Sequence, residues 1–298
     1  MRFDRLVHRN SDFHPVQPRS FEPISIPAAG ATFEGVIAPA MLQEGREVIL
    51  AFHGYGRPPE DFALFLPLLK PHQELVSLGL FGHGTSQLTS ATYPFMRPIA
   101  VPDFKVWMEA LMDTLNAPQV HLLTYSMGGR IALKTAELLP HRVAKMRLTA
   151  PDGFRQPWIY NPLYGTAVGR WFYQTTIDHP GWIFGLTRLL AQLRLLHPKT
   201  EKFVEVHFGT REKRVLLRDV WSRYRTITPD LVRIAHLINH QDLDIQLVFG
   251  TRDSVIPVKL GTRFQKRLNR SVLHTIDNGH QLLTPQLLHL FEREQLWF

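Results

Sequence analysis

A serine near the middle of the chain lies at the junction of two contrasting sequence patterns. Residues 122–125 are strand-forming and mostly apolar, whereas the pattern becomes helical from Met127 onward. A strand that turns directly into a helix holds the turning residue in a strained conformation, which pushes its side chain out of the sheet and requires small neighbours. Gly128 and Gly129 are such neighbours. The pattern therefore makes Ser126 a candidate nucleophile.

Three further segments with chemically useful side chains each follow a strand-like run. They are the His-Gly-Tyr-Gly sequence that begins at His53, the loop that carries Asp253, and the loop that carries His280. The carboxyl ends of strands in an open parallel sheet face one crevice, so residues that are distant in sequence meet there. We therefore expect Ser126, Asp253 and His280 to lie in contact.

The order serine, acid, histidine along the chain resembles that of the α/β-hydrolase family. The serine segment is similar to the family's G-x-S-x-G motif, with Thr124 in place of the first glycine. Residues 79–86 resemble its D-x-P-G-x-G-x-S loop without the Asp and the Pro. The resemblance covers residues 21–154 and 236–298. The segment between them, 155–235, lies where this family commonly carries an inserted helical lid.

The resemblance implies a role for each of these residues. Ser126 would be the nucleophile, His280 the general base that takes its proton, and Asp253 the acid that orients the histidine. The backbone N–H groups of Tyr55 and Met127 would stabilise the oxyanion, Met127 because it opens a helix and so has an unpaired N–H.

Two alternatives to these assignments are visible in the sequence. Some members of the family place the acid after an earlier strand, and Asp152 occupies that position. His53 and His83 are also candidates for chemistry, but their positions favour a structural role in holding loops beside the site.

The alternation of elements predicts an α/β fold with a mostly parallel, doubly wound sheet of about eight strands and an inserted helical lid. A helix is predicted from Pro102, where Phe104, Trp107 and Leu111 recur at helical spacing. The sequence predicts an N-terminal extension at 1–20 and a hydrolase core in two parts, at 21–154 and 236–298. The helical lid, at 155–235, separates the two parts of the core. The predicted strands are 21–26, 32–37, 47–52, 73–79, 119–124, 143–149, 244–249 and 271–276.

The predicted lid is rich in aromatic and basic residues. It contains four of the six tryptophans and 13 Lys and Arg against 6 Asp and Glu, which accounts for most of the chain's net charge of +8. The charge is densest in a basic cluster at Arg211, Lys213, Arg214, Arg218, Arg223 and Arg225. Such a run is most often a solvated helix face. It could also attract an anionic small-molecule substrate or rest on an acidic membrane surface.

The residue content and the absence of several motifs argue against other classes of chemistry. The chain of 298 residues has no cysteine, so it has no disulfide and no thiolate nucleophile. It shows no His-Glu-x-x-His motif, P-loop or G-x-G-x-x-G after a strand, which predicts that it uses no metal and no cofactor. No nucleic-acid-binding module accompanies the positive charge. No signal segment or membrane-spanning run is visible, so a cytoplasmic location without stable membrane insertion is expected.

These observations predict a serine hydrolase that cleaves an ester-like bond, most simply a small carboxylic ester, through an acyl-serine intermediate. A thioester, an amide or a carbon-carbon bond beside a carbonyl stays open, because the family uses the same residues for each. A lipase that acts at a lipid surface also stays open. So does a non-catalytic binding protein of the same fold, which Thr124 alone favours.

Overall fold

The computed structural model describes residues 19–88, 96–155, 160–195, 198–241, 243–270 and 272–298. Most of the predicted N-terminal extension lies outside these ranges. Within them the strands are β1 (Glu22–Ala28), β2 (Ala31–Ala38), β3 (Glu47–Phe52), β4 (Gln73–Leu78), β5 (Gln87–Leu88), β6 (Val120–Tyr125), β7 (Val143–Thr149), β8 (Asp244–Gly250) and β9 (Leu273–Ile276).

The helices alternate with the later strands. They are α1 (Val101–Thr114), α2 (Met127–Leu138), α3 (Tyr160–Gly165), α4 (Ala167–Asp178), α5 (Gly181–Gln192), α6 (Pro198–Phe208), α7 (Arg211–Tyr224), α8 (Leu231–His240), α9 (Val258–Gln265) and α10 (Pro285–Arg293), together with 3₁₀ helices at Pro59–Leu68 and Pro140–Arg142.

The strands form one mixed sheet in the order β1-β2-β4-β3-β6-β7-β8-β9, with β5 paired to β2. The pairs from β4 through β3 and β6 to β9 are parallel, whereas β2 runs antiparallel to β1, β4 and β5. The predicted α/β class and mostly parallel sheet are confirmed. All eight predicted strands occur, although Ser271 at the start of the last one lies outside the described residues. The two-residue strand β5 was not predicted.

Both faces of the sheet are covered, as the residues of β3 show. Leu50 and Phe52 pack into an apolar cluster with the inner faces of α1 and α2, while Ile49 and Ala51 pack with residues of the first 3₁₀ helix and α10 on the other side. Successive side chains of a strand point to opposite faces, so a strand buried on both faces is apolar throughout. This burial fixes the carboxyl ends of β3, β6 and β8 in one layer.

Helices α3 to α7, which we call the helical insertion, have an apolar cluster of their own. It contains Tyr164, Tyr173, Ile177, Val204, Phe208 and Leu217. Helix α8, which follows the insertion, instead packs on α2 of the main core through Ile234 and Ile238. The insertion thus has a small core of its own, and the C-terminal half of α7 joins it to the main core through Val220 and Tyr224.

Two arginines of the basic cluster lie inside the helical insertion. The prediction that the cluster is a solvated helix face is therefore wrong for these two residues. Arg214 is buried and donates to the carbonyls of Ile177 and Phe208, at the carboxyl ends of α4 and α6. Arg218, also buried, pairs with Asp219 and donates to Gln174. The Arg214 guanidinium satisfies buried carbonyls of two other helices, and Arg218 links α7 to α4 through Gln174.

In the part of the chain that the structure describes, no helix combines the length and the apolar character needed to cross a membrane. The cytoplasmic location expected from the sequence stays a prediction.

The interior position of Arg214 predicts that Arg214→Ala destabilises the protein by about 3 kcal/mol, because two buried carbonyls lose a charged donor. Arg211→Ala, an exposed change on the same helix, is the matched control and should shift stability by less than about 0.5 kcal/mol. Urea unfolding measures both free energies. Equal small effects would contradict the interior role of Arg214.

Candidate active site

The turn between β6 and α2 places Ser126 in an unusual backbone conformation. Its φ of 51° and ψ of −115° lie outside the regions that ordinary residues prefer. The surrounding chain holds this conformation with three backbone hydrogen bonds. The Ser126 N–H donates to the Thr149 carbonyl at 2.9 Å, and the Ser126 carbonyl accepts from Gly129 at 2.9 Å and Asp152 at 2.8 Å. Strain of this kind persists only where neighbours over-determine the backbone.

The two glycines after Ser126 are required by close packing. A Cβ on Gly128 would lie 1.9 Å from the Phe52 carbonyl oxygen, and a Cβ on Gly129 would lie 2.4 Å from the Cβ of Pro151. At the other side of the turn, Thr124 is buried, and its Oγ1 has no hydrogen-bond partner among the described residues. The threonine that replaces the usual glycine therefore lies buried at a cost in stability, because its hydroxyl is desolvated without a partner among the described residues.

A continuous chain of hydrogen bonds joins the three side chains that the sequence singled out. Ser126 Oγ lies 2.9 Å from His280 Nε2, and His280 Nδ1 lies 2.7 Å from Asp253 Oδ2. A carboxylate accepts only, so Nδ1 of His280 carries the proton and Nε2 accepts the hydroxyl of Ser126. The Asp253 side chain is fully buried, whereas His280 is 21% exposed.

Loop contacts hold Asp253 and His280 in this series of hydrogen bonds. Asp253 Oδ1 accepts the backbone N–H groups of Val255 at 2.8 Å and Ile256 at 2.9 Å, which leaves Oδ2 directed at His280. The Tyr125 hydroxyl donates to the His280 carbonyl at 2.8 Å. Burial raises the pKa of Tyr125 to about 12, so this phenol keeps its proton. Tyr125 is not among the site residues predicted from the sequence. Its position directly before Ser126 is the feature that could have indicated it.

Asp152, the alternative acid, makes different contacts. Its Oδ2 accepts from Arg130 Nε at 2.8 Å, and its Oδ1 accepts the Gly153 N–H at 2.7 Å. Arg130 is fully buried on α2 and also lies over the Trp221 ring, 5.6 Å from its centroid. Asp152 thus neutralises a buried arginine, and the structure brings Asp253, not Asp152, to His280.

The loop after β3 runs beside Ser126. A Cβ on Gly54 would lie 3.1 Å from the Ser126 Cβ, so the loop that continues to Tyr55 passes close to the Ser126 side chain. Met127 is the first residue of α2, where backbone N–H groups have no partner within the helix. The two predicted oxyanion donors therefore lie on the two backbone segments that border Ser126.

Two buried histidines hold this loop, as predicted. The Gly56 N–H donates to His83 Nε2 at 2.8 Å, and the Leu80 N–H donates to His53 Nε2 at 3.0 Å. Burial lowers the pKa of His53 to about 4 and the pKa of His83 to about 3, so both rings are neutral acceptors at pH 7. The Tyr55 ring packs edge-on against His83 and against His207 of the helical insertion.

A groove of about 760 Å³ lies on the far side of the same loop, between β1, β2 and residues 79–85. Its lining includes Gly56, Arg57 and His83 but none of Ser126, Asp253 and His280. The groove therefore borders the loop without reaching the hydrogen-bonded chain.

Within the described residues, no group of three His, Asp or Glu side chains is placed to hold a metal ion. His236 and His240 lie together on α8, with ring centroids 4.3 Å apart. The absence of a metal and of a cofactor stays a prediction.

Comparison with known proteins identifies related sequences. A family model described as the α/β-hydrolase fold matches residues 47–284. The pimeloyl-[acyl-carrier protein] methyl ester esterase of Neisseria meningitidis is 25% identical over 253 residues, which cover 78% of this chain and 84% of that protein. The Bacillus subtilis hydrolase YugF is 21% identical over 249 residues, which cover 81% of this chain and 85% of the relative.

Solved structures show the same architecture. The 2-hydroxy-6-oxo-6-phenylhexa-2,4-dienoate hydrolase of Rhodococcus sp. strain RHA1 has a TM-score of 0.60 at 18% identity, covering 93% of this chain and 99% of that one. A thermophilic esterase from Thermogutta terrifontis has a TM-score of 0.60 at 16% identity, covering 93% and 97%. At such identities these likenesses show the shared fold alone.

The close approach at Gly128 predicts that Gly128→Ala destabilises the protein by about 3 kcal/mol or more, because the added methyl group would overlap the Phe52 carbonyl. Gly181→Ala, at the first position of α5 where a Cβ meets open space, is the control and should be neutral or slightly stabilising. Thermal unfolding measures both. An unchanged Tm for Gly128→Ala would show that the turn does not need a glycine there.

The buried neutral histidines predict that stability falls in mild acid. The pKa of His53, about 4, and that of His83, about 3, lie below the ordinary value of 6.5, so the unfolded chain binds protons first as the pH falls. Stability is therefore lost from about pH 6.5 down to about pH 4 through His53 and to about pH 3 through His83, with each histidine contributing about 1.4 kcal/mol per pH unit at most.

Urea unfolding at pH 7, 6 and 5 tests this dependence, with His83→Gln as the comparison. The glutamine oxygen can still accept the Gly56 N–H but does not titrate, so the slope of free energy against pH should become shallower. An identical slope in both proteins would show that His83 is not neutral in the folded state.

Proposed function

Because this chain belongs to the α/β-hydrolase family, we propose that it is a serine hydrolase that cleaves a small carboxylic ester through an acyl-serine intermediate. The observation that carries the proposal is the unbroken hydrogen-bonded chain from Ser126 through His280 to Asp253. The three groups come from three separate loops, and a purely structural network would not need the strained backbone that presents Ser126.

In the proposed acylation step, His280 Nε2 takes the hydroxyl proton of Ser126 as Oγ bonds to the ester carbonyl carbon. Asp253 keeps Nδ1–H in place and stabilises the imidazolium that forms. When the tetrahedral intermediate collapses, the carbon–oxygen bond to the leaving group breaks. His280 then gives its proton to that oxygen, and an alcohol departs while the acyl group stays on Ser126.

In the proposed deacylation step, a water molecule replaces the alcohol. His280 takes a proton from the water as its oxygen attacks the acyl carbon, and then returns a proton to Ser126 Oγ as the acyl–oxygen bond breaks. The products are a carboxylic acid and the regenerated serine.

The backbone N–H groups of Tyr55 and Met127 are the proposed donors to the oxyanion in both steps. Each fixed donor of this kind contributes about 3 kcal/mol of transition-state stabilisation. The position of Met127 at the start of α2 adds the positive end of the helix dipole. His83 supports this arrangement, since it accepts the N–H of Gly56 next to Tyr55.

An ester is the substrate class that the relatives favour, because the Neisseria meningitidis protein is named as a methyl ester esterase and matches most of this chain. The basic cluster gives less support for an anionic substrate, since Arg214 and Arg218 are buried and bonded within the helical insertion. We therefore propose a small ester as the substrate and assign it no charge.

A series of p-nitrophenyl esters from acetate to octanoate tests the proposal. Ser126→Ala should abolish hydrolysis while the Tm stays near that of the native protein. Asp253→Asn should lower kcat about 10⁴-fold, because the amide favours the wrong histidine tautomer. Asp152→Asn is the matched comparison at the alternative acid and should keep kcat within about tenfold, although it weakens the ion pair with Arg130.

Three results would contradict the proposal. A larger loss of kcat in Asp152→Asn than in Asp253→Asn would move the acid role to Asp152. Native-level hydrolysis by Ser126→Ala would exclude the serine as nucleophile. If the folded native protein hydrolyses none of the esters and Ser126 stays unacylated, the result would favour the alternative that this is a non-catalytic binding protein.

A further inference from the structure

Exposed apolar side chains are concentrated on one part of the helical insertion. Of the 13 large apolar side chains that are exposed in the described residues, seven lie between residues 168 and 195. Soluble proteins usually scatter such residues singly, and clusters of them mark surfaces that contact a partner. These seven side chains, which we call the apolar face, are Val168, Trp171, Phe172, Leu186, Leu189, Leu193 and Leu195.

Helix α4 contributes the first part of the apolar face. Val168, Trp171 and Phe172 recur at a spacing of three and four residues, which places them on one side of the helix. The opposite side, with Tyr173 and Ile177, is buried in the core of the insertion. Trp171 is 69% exposed and Val168 is 75% exposed, so the internal packing of the insertion does not account for either.

Helix α5 and the residue pair after it contribute the second part. Leu186, Leu189 and Leu193 follow the same spacing, while Thr187 faces the interior and is buried. Leu195 extends the surface beyond the helix and is 72% exposed. Ile183 and Phe184 pack on the core of the insertion, so helix α5 is apolar on both its inner and its outer side.

A ring contact joins the two parts. Phe172 of α4 packs against Trp182 of α5 with centroids 4.9 Å apart. Trp182 lies one turn before Leu186 on the same side of α5. The outward stripes of α4 and α5 therefore meet at this pair and form one surface across two helices.

The charges on these helices indicate which partner fits. Residues 160–195 contain Arg170, Arg188 and Arg194 but one acid, Asp178. Arg188 is exposed on α5 outside the leucine stripe, because neighbours in sequence do not share a helix face, and Arg194 is exposed just after the helix, between Leu193 and Leu195. An apolar stripe on a helix that carries arginine on its other side matches a bilayer of anionic lipids, where the acyl boundary receives the apolar groups and the phosphates receive the cations.

We propose that the apolar face docks on the surface of an anionic phospholipid bilayer. Trp171 and the leucines enter the headgroup boundary, and Arg188 and Arg194 contact lipid phosphates. The protein lies on the bilayer and does not cross it. A second copy of the chain fits less well, because the same face of the partner offers a single acid, Asp178, to pair with the arginines. The proposal rests on exposure and charge, so it stands apart from the proposed esterase activity.

Vesicle flotation measures this binding directly, with Ser126→Ala protein so that lipid hydrolysis cannot contribute. Binding should be at least tenfold stronger to vesicles that contain 40% phosphatidylglycerol, the order of anionic content that binds basic proteins, than to phosphatidylcholine alone. Leu189→Gln/Leu193→Gln should reduce binding to the anionic vesicles at least tenfold. Arg188→Gln/Arg194→Gln should remove most of the preference for phosphatidylglycerol.

The matched control is Val106→Gln/Val232→Gln, which removes two exposed apolar side chains on α1 and α8. It should bind vesicles as the parent protein does, and all variants should keep the Tm of the parent within a few degrees. A second readout is tryptophan emission, which should shift to the blue on binding. Trp171→Phe should bind normally but lose most of this shift.

Three results would overturn the proposal. They are an absence of flotation with anionic vesicles, equal binding to both lipid compositions, and equal loss of binding in the control variant. Sedimentation velocity adds a separate outcome, since a concentration-dependent dimer that Leu189→Gln/Leu193→Gln dissociates, without vesicle binding, would assign the apolar face to a second copy of the chain.

Discussion

The backbone turn at Ser126 is the constraint on which the site depends. A non-glycine residue with a φ of 51° and a ψ of −115° costs about 1–3 kcal/mol, and the fold must hold it there. The carbonyl of Thr149 and the N–H groups of Gly129 and Asp152 do so, and the close approach of Gly128 to Phe52 leaves no space for a side chain at residue 128. The buried parallel strands therefore determine where the hydroxyl lies, and the loops of Asp253 and His280 follow from the same sheet.

The helical insertion is packed differently from the sheet. Its core is small, and buried arginines such as Arg214 link the ends of its helices where a larger domain would use apolar packing. Its outer side is apolar at Trp171 and Leu189, the reverse of what a solvated subdomain requires. The contact between Tyr55 and His207 brings this insertion against the loop beside Ser126.

The sequence predicted the sheet well because strand burial and turn residues are local signals. Ser126, Asp253 and His280 follow apolar runs, and the geometry brings them together. The choice between Asp253 and Asp152 needed the structure, since only tertiary packing pairs Asp152 with the buried Arg130. Arg214 was misread as solvated for the same reason, because its carbonyl partners belong to α4 and α6. Strand β5 has two residues and no periodicity to detect.

If the hydrogen bonds from Ser126 through His280 to Asp253 activate the serine as a nucleophile, a fluorophosphonate probe should react with it and leave a stable adduct, which intact mass and peptide mapping locate. We expect one adduct per protein molecule, on the peptide that contains Ser126, and none after Ser126→Ala or after unfolding in urea. An adduct on another serine, or no adduct on the folded protein, would contradict it.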